Sequence, residues 1–297
     1  SSPDYYGNSR WGELNGLRSA NCGTNFSEMN TNFAYGLFSN TIKLWNLYMD
    51  DDRTKLEKNL SVVTDKRQLW TLPPYHYNGT GEETWVYPYG GDPSDTRKLI
   101  AGIDKTPYYT SKVEPKDRNS TNKEETYYPG SRYCGKFRRE VQYEGRKNFK
   151  SIWCGINVPL LRYSDVLLMY AEAMNEYMGA PSEDLYNVIL PLRERAGIST
   201  EPYSKYASYE RFQQFVRNER ARELCFEGLR NFDLLRWGIY FKSMKEVAAI
   251  AGSSQWNTST ARNYIVLFGR MSEKNNCLPI PSLELAVNTE LKQNHLW

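Results

Sequence analysis

The chain has 297 residues, 40% hydrophobic, 25% charged and 14% aromatic, which is enough apolar material for one large globular domain or two smaller ones. Its 38 basic and 35 acidic residues leave a net charge of +3, too balanced for a partner presenting a phosphate backbone, so nucleic acid is excluded as a ligand. No run of about 18 apolar residues occurs, which excludes a bilayer-crossing helix, and Cys22, Cys134, Cys154, Cys225 and Cys277 form no C-x-x-C pair and are too scattered for a zinc ribbon or a disulfide scaffold.

The first residues, Ser-Ser-Pro-Asp-Tyr-Tyr, have neither the basic nor the apolar region of a secretion signal, so an export signal was removed or lies upstream. From Ser1 to about Lys150 the chain is rich in Tyr, Trp, Asn, Gly and Pro without sustained periodicity, which predicts long loops, a few short helices and short strands. Asp50, Asp51 and Asp52 offer oxygen ligands to a calcium ion, but no EF-hand spacing follows and a solvated turn or helix cap explains them better. N-x-[ST] triplets at Asn25, Asn59, Asn78, Asn119 and Asn257 are common in Asn-rich chains. Between residues 70 and 89, Trp70, Tyr75, Tyr77, Trp85, Tyr87 and Tyr89 lie among turn-forming Pro73, Pro74, Asn78, Gly79 and Gly81. In an extended segment Trp85, Tyr87 and Tyr89 share one face. Flat aromatic faces of this kind stack on the apolar side of a pyranose, and Asp92, Asp95 and Arg97 are nearby hydrogen-bonding candidates. Packing of the loop region is the competing role for these rings. Tyr108, Tyr109, Tyr127, Tyr128 and Tyr133 form a second aromatic group, and the basic cluster around Lys136, Arg138, Arg139, Arg146, Lys147 and Lys150 reads as a solvated face.

From Val158 the chain becomes helical. Leu160, Tyr163, Leu167, Tyr170 and Met174 alternate in steps of three and four, which predicts an amphipathic helix ending near Gly179. Ser182 caps a second helix from Glu183 to Ala196 that Pro191 kinks or restarts, and Gly197 closes it. Asp165 and Glu172 on the first helix are expected to pair with Arg193 or Arg195 across the hairpin. A third helix begins near Ser208. Within residues 217–238, Glu219, Glu223 and Glu227 recur every four residues, Arg220, Arg222, Arg230 and Arg236 neutralise them, and Gly228 stops the helix. Phe232, Leu235 and Trp237 are then offered to a core, and Asp233 and Arg236 form a local pair. This cluster reads as a structural ion network: every Glu has an Arg in reach, which lowers its pKa, and neither His76 nor His295 stands in a metal-helix spacing. Neither a catalytic residue, a metal nor another cofactor is expected. A helix from Ile239 to Ile250, a polar loop from Gly252 to Asn263, an extended Leu-Pro-Ile-Pro segment and a helix from Ser282 complete the chain.

The segments Pro159-Leu-Leu-Arg-Tyr-Ser-Asp-Val-Leu-Leu-Met-Tyr-Ala-Glu-Ala, Leu192-Arg-Glu-Arg-Ala-Gly, Glu219-Arg-Ala-Arg-Glu-Leu-Cys-Phe-Glu-Gly-Leu-Arg-Asn-Phe-Asp-Leu-Leu-Arg-Trp and Leu278-Pro-Ile-Pro occur in that order over about 140 residues. Together they resemble the C-terminal part of the SusD/RagB family of outer-membrane nutrient-binding lipoproteins. The resemblance implies a mainly α fold, in which tetratricopeptide-like helical hairpins carry an irregular, loop-rich ligand-binding subdomain with few short strands. It divides the chain into a loop-rich aromatic subdomain over 1–157 and a helical scaffold over 158–297, with the family's N-terminal half and lipidation cysteine absent. It also implies a non-enzymatic protein at the external face of the outer membrane of Bacteroidetes cells. Such a protein binds oligosaccharides or polysaccharides and delivers them to a SusC-like TonB-dependent transporter, attached to the membrane only through a lipid anchor outside this chain. A RagB-like peptide-uptake protein, a carbohydrate-active enzyme and a purely structural interaction protein are the alternatives. Leu229 where the family often has His, Pro191 inside a helix, and the Asn294-His-Leu-Trp end depart from the family pattern.

Overall fold

A computed structural model of the chain describes residues 11–16, 34–49, 65–72, 75–77, 83–85, 133–137, 156–198, 200–252 and 259–297. The acidic triplet at 50–52 and the five N-x-[ST] asparagines lie outside the described residues. Two compact units are present, Ser1–Glu227 and Gly228–Trp297. The architecture is mainly helical, with one two-stranded antiparallel ribbon among the described residues.

In the first unit the helices are α1 (Trp11–Asn15), α2 (Ile42–Met49), α3 (Lys66–Thr71), α4 (Tyr163–Met178), α5 (Glu183–Asn187), α6 (Leu190–Arg195) and α7 (Tyr209–Glu223), and the ribbon pairs β1 (Tyr75–Tyr77) with β2 (Glu83–Trp85). The predicted starts and stops hold where a cap defines them. Ser182 Oγ accepts from the Leu185 amide at 3.1 Å, and Ser208 Oγ from the Arg211 amide at 3.3 Å, each satisfying a donor that the first helical turn leaves open. Pro191 sits in the first turn of α6, where its missing N–H costs nothing, so the expected single helix over 183–196 is two short ones.

Gly179 ends α4 in the left-handed conformation at φ +70°, with its amide on Asn175 O at 3.0 Å. An added Cβ there would meet nothing within 4 Å, so Gly179→Ala isolates the backbone cost. It is expected to destabilise by about 1 kcal/mol, read as a lowered urea midpoint at unchanged slope. An unchanged midpoint would show that the end of α4 does not require this conformation.

The α4 helix turns a different face inward from the one its large apolar residues predict. Ser164, Asp165, Leu168, Ala171 and Asn175 are buried, whereas Leu160 just before the helix is 90% exposed, Tyr163 and Tyr170 are exposed, and Leu167 and Met174 are half-buried. Small side chains permit the close approach to α7, and two polar contacts fix it. Arg220 Nη1 donates to Asp165 Oδ1 at 2.8 Å, and Asn175 Nδ2 to Tyr209 O at 3.1 Å. Asp165 therefore pairs with Arg220 rather than with Arg193 or Arg195. Behind this contact Tyr186, Tyr206, Phe212 and Phe215 form an aromatic cluster, with Tyr206 and Phe215 centroids 4.2 Å apart, beside buried Leu168, Ile189 and Val216.

The second unit holds α8 (Arg230–Arg236), α9 (Tyr240–Ala251), α10 (Ser259–Gly269) and α11 (Ser282–Val287). In α8 the expected core face is corrected: Leu234 and Asp233 are buried, while Phe232 is 70% exposed and Leu235 is also exposed. The Asp233–Arg236 pair forms at 2.8 Å, and Arg236 lies 4.8 Å from the Trp237 ring centre. Residues 259–263, expected to be loop, are the first turn of α10, which packs against α9. The Gln293 side chain donates to Ile280 O at 3.0 Å and accepts from Ile280 N at 2.8 Å, completing the hydrogen bonds of the extended proline segment.

Candidate functional site

The site grows from the end of α7. This helix stops at Glu223, before Gly228, because the chain leaves it through Leu224 and reverses at Phe226, a non-glycine residue at φ +64°, with Gly228 following at φ +82°. Phe226 stacks on Phe38 at 6.3 Å with their planes 10° apart, a contact that offsets the strain of that backbone. Ending the helix there leaves the Glu223 carbonyl open. Lys136 Nζ at 2.7 Å and Arg162 Nη2 at 2.6 Å donate to it, two cations at the negative end of a helix dipole.

The three glutamates hold the elements of this unit together. Glu219 is fully buried, and its Oε1 accepts from Arg67 Nη1 at 2.6 Å while Oε2 accepts from Arg193 Nη1 at 3.2 Å and Arg222 Nη2 at 2.8 Å. Glu223 Oε1 accepts from Arg162 Nη1 and Arg195 Nη2, both at 2.5 Å, and Oε2 from Arg67 Nη1 at 2.8 Å. Glu227 takes Arg162 Nε at 2.8 Å and the Lys136 ammonium. Arg67 also grips Asp65, the cap of its own helix, at 2.8 and 2.9 Å. Burial alone would push the Glu219 carboxyl up, but Arg222, Arg67 and Arg193 outweigh it and hold it at about 2. Burial opposes ionisation of Glu223 in the same way, and its bonds to Arg162 and Arg67 bring it also to about 2. Glu219 and Glu223 therefore stay charged at neutral pH, and neither is held protonated as a general acid would be. Lys136, expected on a solvated face, is instead half-buried in this network.

Beside the network the described residues line an open cavity of about 570 Å³. The ion network forms its floor through Arg67, Arg162, Glu223 and Glu227, and its walls include Phe137, Asn157 and Pro159. Lys66 and Trp70, four residues apart on one face of α3, and Arg195 from α6 also line it. Trp70 is 40% exposed, and Lys66 and the Arg195 side chain are exposed too. The aromatic residues singled out by sequence distribute unevenly. Trp70 lines the cavity; Tyr75 and Trp85 are register partners across the β1–β2 ribbon, with Tyr77 opposite Glu83, so positions 75, 77 and 85 fall on one face of the ribbon. Tyr87 and Tyr89, together with Asp92, Asp95, Arg97 and all of the second aromatic group except Tyr133, lie outside the described residues. Tyr133 forms an isolated bridge with Ser39. Lys66 and Arg195 were not among the sequence candidates; the Lys66-Arg67-x-x-Trp70 spacing, which puts a cation and an indole on one helical face, was the available signal. Among the described residues no group of three His, Cys, Asp or Glu side chains is placed to hold a metal ion, and no helix is long and apolar enough to cross a membrane.

The family model described as the SusD family matches residues 7–297, well beyond the C-terminal motifs. The chain belongs to the SusD family. A SusD-like protein, P25, from Formosa agariphila is 34% identical over 137 residues, 46% of this chain and 23% of that protein. Another from the same organism, P2, is 32% identical over 141 residues, 46% of this chain and 25% of the relative. A solved SusD homolog from Bacteroides thetaiotaomicron superposes with a TM-score of 0.67 at 26% identity, covering all of this chain and 50% of that one. This SusD-family chain therefore spans about half the length of that homolog. Its helical hairpins and, among the described residues, its sparse strands are those expected of a SusD-like fold.

Proposed function

We propose that this SusD-family chain captures oligosaccharides or polysaccharides at the external face of the outer membrane, without catalysis, and passes them to a SusC-like TonB-dependent transporter. The observation that carries the reading is an exposed indole, Trp70, at a cavity of about 570 Å³ in a member of this family. That volume is in the range of sites for small ligands. A tryptophan face beside convergent N–H donors is the chemistry a pyranose needs, with apolar C–H groups on the ring and hydroxyls on the donors. Positions 75 and 85, register partners in the ribbon, are the further aromatic candidates of this reading. In the described lining of the cavity the carboxylates, Glu223 and Glu227, are engaged by cations, which supports capture without catalysis.

Calorimetric titration with a panel of plant and host oligosaccharides, with product release followed in parallel, tests this. Saturable binding without cleavage is expected, weakened about tenfold in Trp70→Ala through loss of the stacking surface and also weakened in Trp85→Ala, with melting temperatures unchanged. Sugar release would make the protein an enzyme. Binding confined to a peptide mixture would place it with the peptide-uptake branch.

A further inference from the structure

The cavity beside Trp70 carries more positive charge than a neutral sugar requires. Its described lining holds six cationic side chains against the two carboxylates of Glu223 and Glu227, and Glu219 and Asp65 behind it offset only part of the difference. At the mouth, Arg195 directs one of its five N–H donors to Glu223, and Lys66 has no ion pair among the described residues. Lys66 is nevertheless held in place. Its backbone amide donates to Ala196 O at 2.9 Å, and Gly197, at φ +73°, leaves the space its stem crosses, since a Cβ on Gly197 would come within 3.0 Å of Lys66 Cε. The fold therefore sets an ammonium and an exposed guanidinium on one cavity, and the indole of Trp70 lies one helical turn from the ammonium.

We infer that this cavity selects an acidic sugar, whose ring lies on Trp70 while its oxyanion, a carboxylate or a sulfate ester, is bound by Lys66 and Arg195. The inference rests on the glycan-capture reading above and adds the ligand's charge to it. Two geometric points support it. The Lys66 stem lies against Gly197, so part of its rotamer freedom is already restricted before a ligand arrives. A planar guanidinium with open N–H pairs matches an oxyanion bidentately.

The test is titration of the chain with a digalacturonate, its neutral methyl ester, a sulfated galactose disaccharide and an acidic hexapeptide, at 50 mM and 500 mM salt. The free acid is expected to bind at least about tenfold more tightly than its methyl ester at low salt, since a charge-assisted hydrogen bond is lost in the ester. High salt should erase most of that difference. Lys66→Met, which keeps the stem beside Gly197 but removes the charge, should bring acid and ester together, and Lys66→Arg should restore the gap. Which acid is preferred, carboxylate or sulfate, identifies the oxyanion. Equal binding of acid and ester, or a gap that survives Lys66→Met, overturns the inference while leaving glycan capture standing. Binding of the peptide with no sugar bound overturns both.

Discussion

Glu219→Gln is expected to destabilise the protein by about 3 to 5 kcal/mol, the range for breaking a buried ion pair by removing one partner. Against a total stability of ~5 to 15 kcal/mol for a typical domain, that is a large share. Glutamine preserves the shape of Glu219 but replaces one carboxylate oxygen with an amide NH₂. The guanidinium groups of Arg67, Arg193 and Arg222 then share a neutral acceptor, and one of their bonds becomes donor against donor. Water cannot make up the loss, because Glu219 is wholly buried and the Arg193 and Arg222 side chains are 1% and 3% exposed. Urea unfolding followed by tryptophan fluorescence measures the effect. Two comparisons make it specific. Glu227→Gln, whose partners Lys136 and Arg162 are 17% and 27% exposed, should lose less, ~1 to 3 kcal/mol, and Glu290→Gln on the surface should stay within about 0.5 kcal/mol of the parent. If Glu219→Gln unfolded at the parent midpoint, the network would not be what joins α3, α6 and α7.

This dependence explains which parts of the molecule were legible in its sequence. Caps and breakers act within one turn, so Ser182, Ser208, Gly179 and Pro191 announce their elements unaided, and the four-residue spacing of the glutamates announces the network. Where that network ends was not legible. Phe226 takes a backbone conformation that its residue type disfavours, and it stacks on Phe38, nearly two hundred residues away in sequence, a contact no local pattern announces. The inward face of α4 was misjudged for a related reason. That helix is apolar on most of its circumference, and the small residues Ser164 and Ala171 with the ion pair to Arg220 decide which side can approach α7. The first turn of α10 was missed because Ser259, Thr260 and Asn263 are weak helix formers, and packing against α9 supplies what propensity does not. The candidate site divides along the same line. Trp70 was legible as an aromatic among turn residues, whereas Lys66 and Arg195 reach one cavity only through a contact distant in sequence, the Lys66 amide bonding the Ala196 carbonyl.

Acid is expected to unfold the unit that carries the network across the interval from about pH 4.5 down to pH 2. Glu219 and Glu223 both fall from an ordinary value of 4.5 to about 2 in the folded protein. In the unfolded chain they regain the ordinary value, so between the two values the unfolded state binds more protons than the native one. Their contribution is therefore fully present above pH 4.5 and is lost as pH falls through the depressed folded values. A displacement of this size corresponds to ~3 kcal/mol for each group. Because both carboxylates bond to Arg67, the two protonations are coupled and the joint loss is not a simple doubling. Arg67 and Arg162 contribute no opposing slope in this range: although burial opposes their charge, Glu219 and Asp65 raise the one, Glu227 and Glu223 raise the other, and both remain charged throughout. Urea midpoints at pH 6, 4 and 3 should fall steadily toward acid, and Glu219→Gln should show a shallower fall because one of the two depressed carboxyls is gone. A midpoint that held constant from pH 6 to pH 3 would mean that these glutamates do not gain their charge stabilisation from the arginines around them. A variant slope equal to the parent's would shift the acid sensitivity from Glu219 to the carboxyls outside its contacts.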